Sequence, residues 1–414
     1  MQRDPTDNSS PFAMTGDPTP DEASLGRAVA RLFDTAERVP PWEMAPLIDV
    51  VCDAVGANSG RLFVADYGLR VLQQVSVTGD DGEAMMIEGT LAGRAFANDE
   101  IITSTNEPVL WVPLTDGTER IGVIELVFDT DADTDDSARR DVLRPVVAAL
   151  VMVLVTRRRY TDVWHRSRRS EPMSPAAEAQ WSLLPPLSCT TASVSVGGIL
   201  EPAYEIGGDS FDYALNDHRL DFAIVDAVGH GMSAVLLSTA AVGSLRNLRR
   251  EQGDLTTAYR HTDRLIAEQF GKSYFVTGQI GTLDLSTGVL SWLNAGHVLP
   301  MLVRNDTYAG ELQCSPSTPM GLGGDVVEVA TIALQRGDRI LFYTDGITES
   351  RSPDGTLFGA DRLADFLVRS SHDQVPVAET VRRLSANVVS YVGTGLNDDA
   401  TLLLIEYRGA GEAA

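Results

Sequence analysis

Four acidic segments in the second half of the sequence hold the residue types best suited to chemistry. They are Ile206-Gly207-Gly208-Asp209-Ser210-Phe211-Asp212, Ala223-Ile224-Val225-Asp226-Ala227-Val228-Gly229-His230-Gly231, Phe342-Tyr343-Thr344-Asp345-Gly346-Ile347-Thr348-Glu349 and Asn397-Asp398-Asp399-Ala400-Thr401. Each sets an Asp beside an apolar, strand-like run and a glycine or second polar residue. A carboxylate at a strand end is held rigidly by the core beneath it, and several that converge repel one another unless cations are present. An oxygen ligand set without Cys or clustered His favours hard ions: Mg²⁺, Mn²⁺ or Ca²⁺. Two such ions lower the pKa of a bridging water and hold a phosphoryl group for in-line attack. Singly, each segment has a plainer reading: Asp345-Gly346 as a turn, Asp398-Asp399 as a solvated loop, His230 as a helix cap. Their succession, each beside an apolar strand, points to one site.

The elements that must position these groups begin near Thr191. Strand-like runs lie at Ala192–Leu200, Asp221–Val225, Phe275–Asp284, Val289–Leu293, Met301–Arg304, Val326–Leu334, Arg339–Tyr343 and Thr401–Tyr407. Helical spacing appears at about Met232–Arg250, Leu255–Gln269, Ala360–Arg369 and Pro376–Tyr391. The helices come in pairs rather than one per strand, which predicts an antiparallel α+β layered domain rather than a parallel sheet.

With 414 residues the chain has room for two domains. Met1 to about residue 22 is rich in Asp, Pro, Ser and Thr and is expected to be disordered. Helical spacing follows at Ala23–Arg38 and Trp42–Val55, then strands at Gly60–Asp66 and Val71–Thr78. A short helix is expected at Gly89–Ala97 and two strands, Pro108–Leu114 and Gly122–Phe128, about the turn Asp116-Gly117. Asp136 to about Arg169 predicts one long helix, with Val146–Val155 buried or forming a dimer and the basic run after it a solvated face. Ala176–Leu184 is a short amphipathic connector ending at Pro185-Pro186.

Whole-chain properties exclude several classes. The formal net charge of −25 argues against a nucleic-acid partner. Three cysteines, Cys52, Cys189 and Cys314, form no CxxC pair, which fits a reducing cytoplasm and neither a zinc site nor a disulfide framework. There is no apolar signal core at Met1, and Val146–Val155 falls short of the ~20 residues that span a bilayer, so no membrane partner is expected.

The order IGGDSFDY, IVDAVGHGMSA, LNAGHVLPML, PMGLG, RGDRILFYTDGITES, NDDATLLLI strongly resembles the SpoIIE/RsbU branch of the PPM metal-dependent protein phosphatases, from roughly Ala192 to Tyr407. The resemblance implies a four-layer α-β-β-α sandwich with two Mn²⁺ or Mg²⁺ ions at one end. Carried over by residue, Asp226 bridges both metals and Ala227 offers its carbonyl to one. Asp345 and Asp398 complete the other shell, and Asp209 binds a metal or its water. His230 is a candidate general acid, and His297 orders the neighbouring loop. Gly207 and Gly208 let the backbone pass close to the metals. Asp398 rather than Asp399 is the ligand by alignment with the family's Asp-x-x-Thr pattern. Val228 departs from the Ser common in this branch, and no basic residue flanks the motifs as a phosphate clamp.

The first half resembles a GAF-type sensor, on the segments EGTLAGRAF, VLWVPL and RIGVIELVF. The implied organisation is a disordered N-terminus (1–22), a smaller α/β GAF-like domain (23–156), a helical linker (157–190) and the phosphatase domain (191–410). The implied activity is a cytoplasmic protein serine/threonine phosphatase of bacterial signal transduction. Its implied substrate is a phosphorylated STAS-domain anti-sigma-factor antagonist. A cyclic-nucleotide, small-molecule or light-pigment pocket at the GAF-like domain, or dimerisation alone, with a homodimer through that domain and the linker helices, belongs to the same expectation. Cys52 reads as core rather than as a chromophore anchor. Two other readings compete. GGDSF is similar to the signature of diguanylate cyclases, but those place their other metal Asp before it. A catalytically inactive partner-binding module would have lost metal ligands, and none of the expected five is missing.

Overall fold

The computed structural model describes residues 20–76, 82–129, 137–205, 207–271, 273–324, 326–393, 396 and 398–410. The expected disordered tail up to residue 19, the end of the Val71–Thr78 strand and the start of the long helix at Asp136 lie outside these residues. By contact the chain divides into two compact units. One comprises residues 1–61, 103–110 and 125–162; the other comprises 62–102, 111–124 and 163–414.

The first half runs α1 (Pro20–Arg38), α2 (Ala45–Val55), β1 (Ser59–Ala65), β2 (Val71–Gln74), β3 (Ala84–Met86), α3 (Leu91–Asn98), β4 (Ile102–Thr103), β5 (Val109–Asp116), β6 (Glu119–Val127) and α4 (Ser137–Arg157). These are the mixed α/β elements expected, with β3 and β4 added. Pro46 stands in the first turn of α2, where its missing N–H costs nothing. Cys52 is buried on this helix, and burial pushes its thiol up to about 11. The Thr90 hydroxyl caps α3 by accepting from Gly93 N. The long helix expected from Asp136 to about Arg169 is corrected: α4 ends at Arg157, a 3₁₀ turn covers Arg158–Tyr160, and α5 spans Val163–Ser167. The buried apolar stripe of α4 stops at Leu154, so nothing beyond it supports a longer helix. Nor is the basic run wholly solvated. Arg157 is buried and donates to the carbonyls of Ala36, Val39 and Pro40 at the end of α1.

The second half continues α6 (Pro175–Leu183), β7 (Ser188–Thr190), β8 (Val194–Glu201), β9 (Asp209–Asn216), β10 (Arg219–Ala227), α7 (Met232–Arg250), α8 (Leu255–Phe270), β11 (Val276–Asp284), β12 (Val289–Ala295), β13 (Met301–Arg304), β14 (Thr307–Glu311), β15 (Ala330–Ala333), β16 (Arg339–Tyr343), α9 (Asp345–Thr348), α10 (Gly359–His372), α11 (Val377–Val392) and β17 (Ala400–Tyr407). Two antiparallel sheets form, in the orders β15-β12-β11-β10-β9 and β14-β13-β16-β17-β8-β7. Helices α7 and α8 cover the first sheet; α10 and α11 cover the second. This is the α-β-β-α sandwich expected.

Strands β7, β9 and β14 were not among the expected runs, and β15 is shorter than Val326–Leu334. The signal for β9 is the alternation Phe211, Tyr213, Leu215, obscured by Asp209 before it and Asp212 within it. Val326 is 74% exposed, so the start of its run has no core to join.

Aromatic rings fill the space between the sheets. Phe222 and Phe342 lie 4.6 Å apart, centroid to centroid. Phe211, fully buried, occupies the space over Gly198, where a Cβ would come within 2.4 Å of its ring. Gly198→Ala is therefore expected to destabilise the domain by about 1–3 kcal/mol, the usual cost of overpacking. Urea unfolding of the two proteins checks this; a difference below about 0.5 kcal/mol, the range of surface substitutions, would mean the ring yields.

Candidate metal centre

Asp226 lies near the end of β10, directly opposite Asp209 on β9 and Thr277 on β11. Two carboxylates facing across adjacent strands are unfavourable unless something compensates. Asp209 is buried, and its Oδ2 accepts a 2.7 Å bond from the Thr344 hydroxyl. The same hydroxyl accepts from Thr401 N at 2.9 Å. One threonine thus ties β9 of the first sheet to β16 and β17 of the second. Asp345 follows Thr344 and opens α9.

The two neighbouring aspartates before β17 behave oppositely, as alternation at a strand end requires. Asp399 is buried, and its carboxylate accepts from Gly207 N at 2.8 Å and Asp209 N at 3.2 Å. Asp398 is exposed; its Oδ1 accepts from Asp399 N at 2.9 Å. Close backbone passage depends on two glycines. A Cβ at Gly208 would stand 2.3 Å from the Ala227 carbonyl oxygen, and one at Gly346 would stand 1.8 Å from that of Asp399.

Burial and mutual repulsion dominate the electrostatics. The Asp226 carboxyl is pushed up to about 7, chiefly by burial and then by Asp345, Asp398 and Asp399. Burial, then Asp226 and Asp399, hold Asp209 well above the ordinary carboxylate range. Burial also raises Asp399, against the pull of its backbone donors. His297 is lowered to about 4 by burial. Its Nε2 donates to the Tyr343 carbonyl at 3.1 Å and its Nδ1 accepts from Thr277 at 2.9 Å. The carbonyl can only accept, which fixes the tautomer. His297 therefore braces the end of β16, two residues before Asp345. His230 is exposed on the turn into α7, between Gly229 and Gly231, both with positive φ (103° and 68°).

The structure thus brings Asp209, Asp226, Asp345, Asp398 and Asp399 within electrostatic reach of one another, with the Ala227 carbonyl against Gly208. Sequence reasoning missed Thr344, Thr401 and the backbone grip of Asp399. The threonine flanking Asp345 and the one closing the Asp-x-x-Thr pattern were the available signal.

Residues 216–408 match the family model described as stage II sporulation protein E. The matched stretch is a little under half of the chain. Asp226, Ala227, His230, Asp345 and Asp398 fall inside the match, and Asp209 precedes it. Similar proteins include IcfG of Synechocystis sp., 22% identical over 51% of this chain and 38% of that protein. Phosphoserine phosphatase RsbU of Bacillus subtilis is 22% identical over 56% of this chain and 69% of its own. Phosphoserine phosphatase RsbP of the same organism is 24% identical over 46% of each. The chain thus spans less than half the length of IcfG and of RsbP. Among solved structures, the SiaA-PP2C domain of Pseudomonas aeruginosa is similar over 56% of this chain and 94% of its own, at 20% identity and a TM-score of 0.48. The RsbU and RsbW domains of Rv1364c from Mycobacterium tuberculosis match 55% of this chain and 63% of theirs, at 27% identity and a TM-score of 0.47.

The acidic cluster fits hard divalent cations in donor type and charge: the donors are all oxygen, and besides burial the neighbouring carboxylates raise Asp226 and Asp209. Among the described residues, no three His, Cys, Asp or Glu side chains stand in ion-holding geometry. A bound ion would therefore complete its shell with water and backbone oxygen, as Mg²⁺ commonly does.

The raised carboxylates have a measurable sign. Metal-free folded protein holds protons on Asp226 that the unfolded chain has released, so its stability falls as pH rises from about 4 to about 7. Melts in EDTA across that range are expected to show this fall. Asp226→Asn should flatten it and raise the metal-free melting temperature at pH 8; an unchanged slope would mean that Asp226 carries no such strain.

Proposed function

We propose that the protein is a metal-dependent protein serine/threonine phosphatase acting on a phosphorylated regulatory protein. The observation that carries this reading is Asp226, raised to about 7 by burial and then by Asp345, Asp398 and Asp399, among the residues that match the family model. Two Mn²⁺ or Mg²⁺ ions would supply a water of lowered pKa and positive charge to hold the phosphoryl group. Asp226 and the Ala227 carbonyl, with Asp345 and Asp398, are the groups to hold them. Asp209, oriented by Thr344, orders a metal or its water. Asp399 keeps the backbone of that segment in place, and His297 keeps the Asp345 strand end in place. His230, exposed on its glycine-flanked turn, is suited to give a proton to the departing serine oxygen.

The naming of RsbU and RsbP as phosphoserine phosphatases supports the substrate class. The resemblance extends this to a STAS-domain anti-sigma-factor antagonist as partner. The GAF-like first half would be the sensor, with a small-molecule signal, and its helices and the linker a dimer surface. No helix among the described residues is long and apolar enough to cross a membrane.

Phosphate release from p-nitrophenyl phosphate and from a phosphoserine protein, with and without Mn²⁺, tests the proposal. Asp226→Asn is expected to lose more than about 100-fold, beyond what outer-shell partners cost. A wild type inactive on both substrates in Mn²⁺ and Mg²⁺ would overturn it. His230→Ala separates the roles further. Nitrophenolate leaves without a proton, so the variant should keep that rate yet lose about 10²-fold or more on phosphoserine. Equal losses on both substrates would remove His230 as the acid.

A further inference from the structure

Strand β9 is the outermost of its sheet, so at Asp209 the backbone groups on the open side have no strand to bond. Two side chains stand in for one. The Asp399 carboxylate takes Asp209 N at 3.2 Å. The Asp209 carbonyl accepts from Nε2 of Gln180, on α6. Gln180 is completely buried, and its Oε1 has no hydrogen-bond partner among the described residues. An unpaired buried polar atom costs free energy, so packing alone would favour Leu or Met here. What a glutamine adds is the bond to Asp209.

The helix that presents Gln180 is fastened to the same segment at both ends. Ser174 caps it, accepting from Ala177 N at 3.1 Å, and Ser174 N donates to the Tyr204 carbonyl at 3.0 Å. Trp181 Nε1 donates to Ala203 O at 2.8 Å. Arg246 donates to Leu183 O at 2.6 Å and also holds Asp212 on β9. Any shift of α6 therefore moves the chain leading into Asp209.

The geometry points to Gln180 as a positioning residue for the metal centre, an inference that rests on the phosphatase reading above. Its amide fixes the Asp209 peptide. The carboxylate of that residue then keeps its bond to Thr344 and its place opposite Asp226. The connector helix thereby acts on the centre through a single breakable bond.

Gln180→Met and Gln180→Leu keep the volume and remove the donor. Manganese alone is the probe: free Mn²⁺ is counted by electron paramagnetic resonance in the full chain, beside phosphate release as a function of Mn²⁺. The expected result is a Mn²⁺ affinity about tenfold weaker, with saturating Mn²⁺ restoring kcat to within about twofold. A wild type that binds Mn²⁺ and turns over, with folded variants indistinguishable from it, would overturn the inference and leave the phosphatase reading standing. Collapse of both variants' thermal transitions would make Gln180 a contact of the fold alone and overturn it too. A wild type that neither binds Mn²⁺ nor releases phosphate removes both readings together.

Discussion

Like charges stay close only where the chain that bears them cannot retreat. Asp209 and Asp226 face each other across neighbouring strands, and the rest of the domain is arranged around holding them there. The Thr344 hydroxyl is the central device, because it bonds a carboxylate of one sheet while accepting an amide of the other. Asp399 secures the backbone on the far side of Asp209, and His297 secures the strand end before Asp345. The bonds of Thr344 and Asp399 to the Asp209 segment lie among buried residues. Low local polarity strengthens such contacts and sharpens the repulsion they restrain.

The second half was largely legible in the sequence, for a physical reason. Acidic residues beside apolar runs interrupt hydrophobic patterning, and such interruptions stand out. Asp226, Asp345 and Asp398 were visible in this way. The pairing of Asp209 with Asp226 was not, because β9 was read as a motif instead of a strand. The different environments of Asp398 and Asp399 follow from alternation at a strand end. What each of them touches depended on where Gly207 came to lie in space. Thr344 and Thr401 gave little warning, since a threonine near a strand end is ordinary until its partner is known.

The first half was read less well. The extended helix expected through Arg169 ends at Arg157, whose guanidinium turns inward to close α1. A basic residue in a basic run looks solvated, and only the three carbonyls left at the end of α1 explain its burial. The connector α6 was found, but its polar face was not understood. Nothing in its sequence singles out Gln180, which bonds the open edge of the strand that bears Asp209.

Two titrating groups near this centre answer acidity differently. The imidazole of His297 stays neutral down to about 4, so the strut it forms keeps its shape through any mildly acid medium. Asp226 takes up its proton near 7. As the metal-free protein acidifies through that range, the Asp226 carboxylate loses its charge while the imidazole brace beside the Asp345 strand end is still neutral.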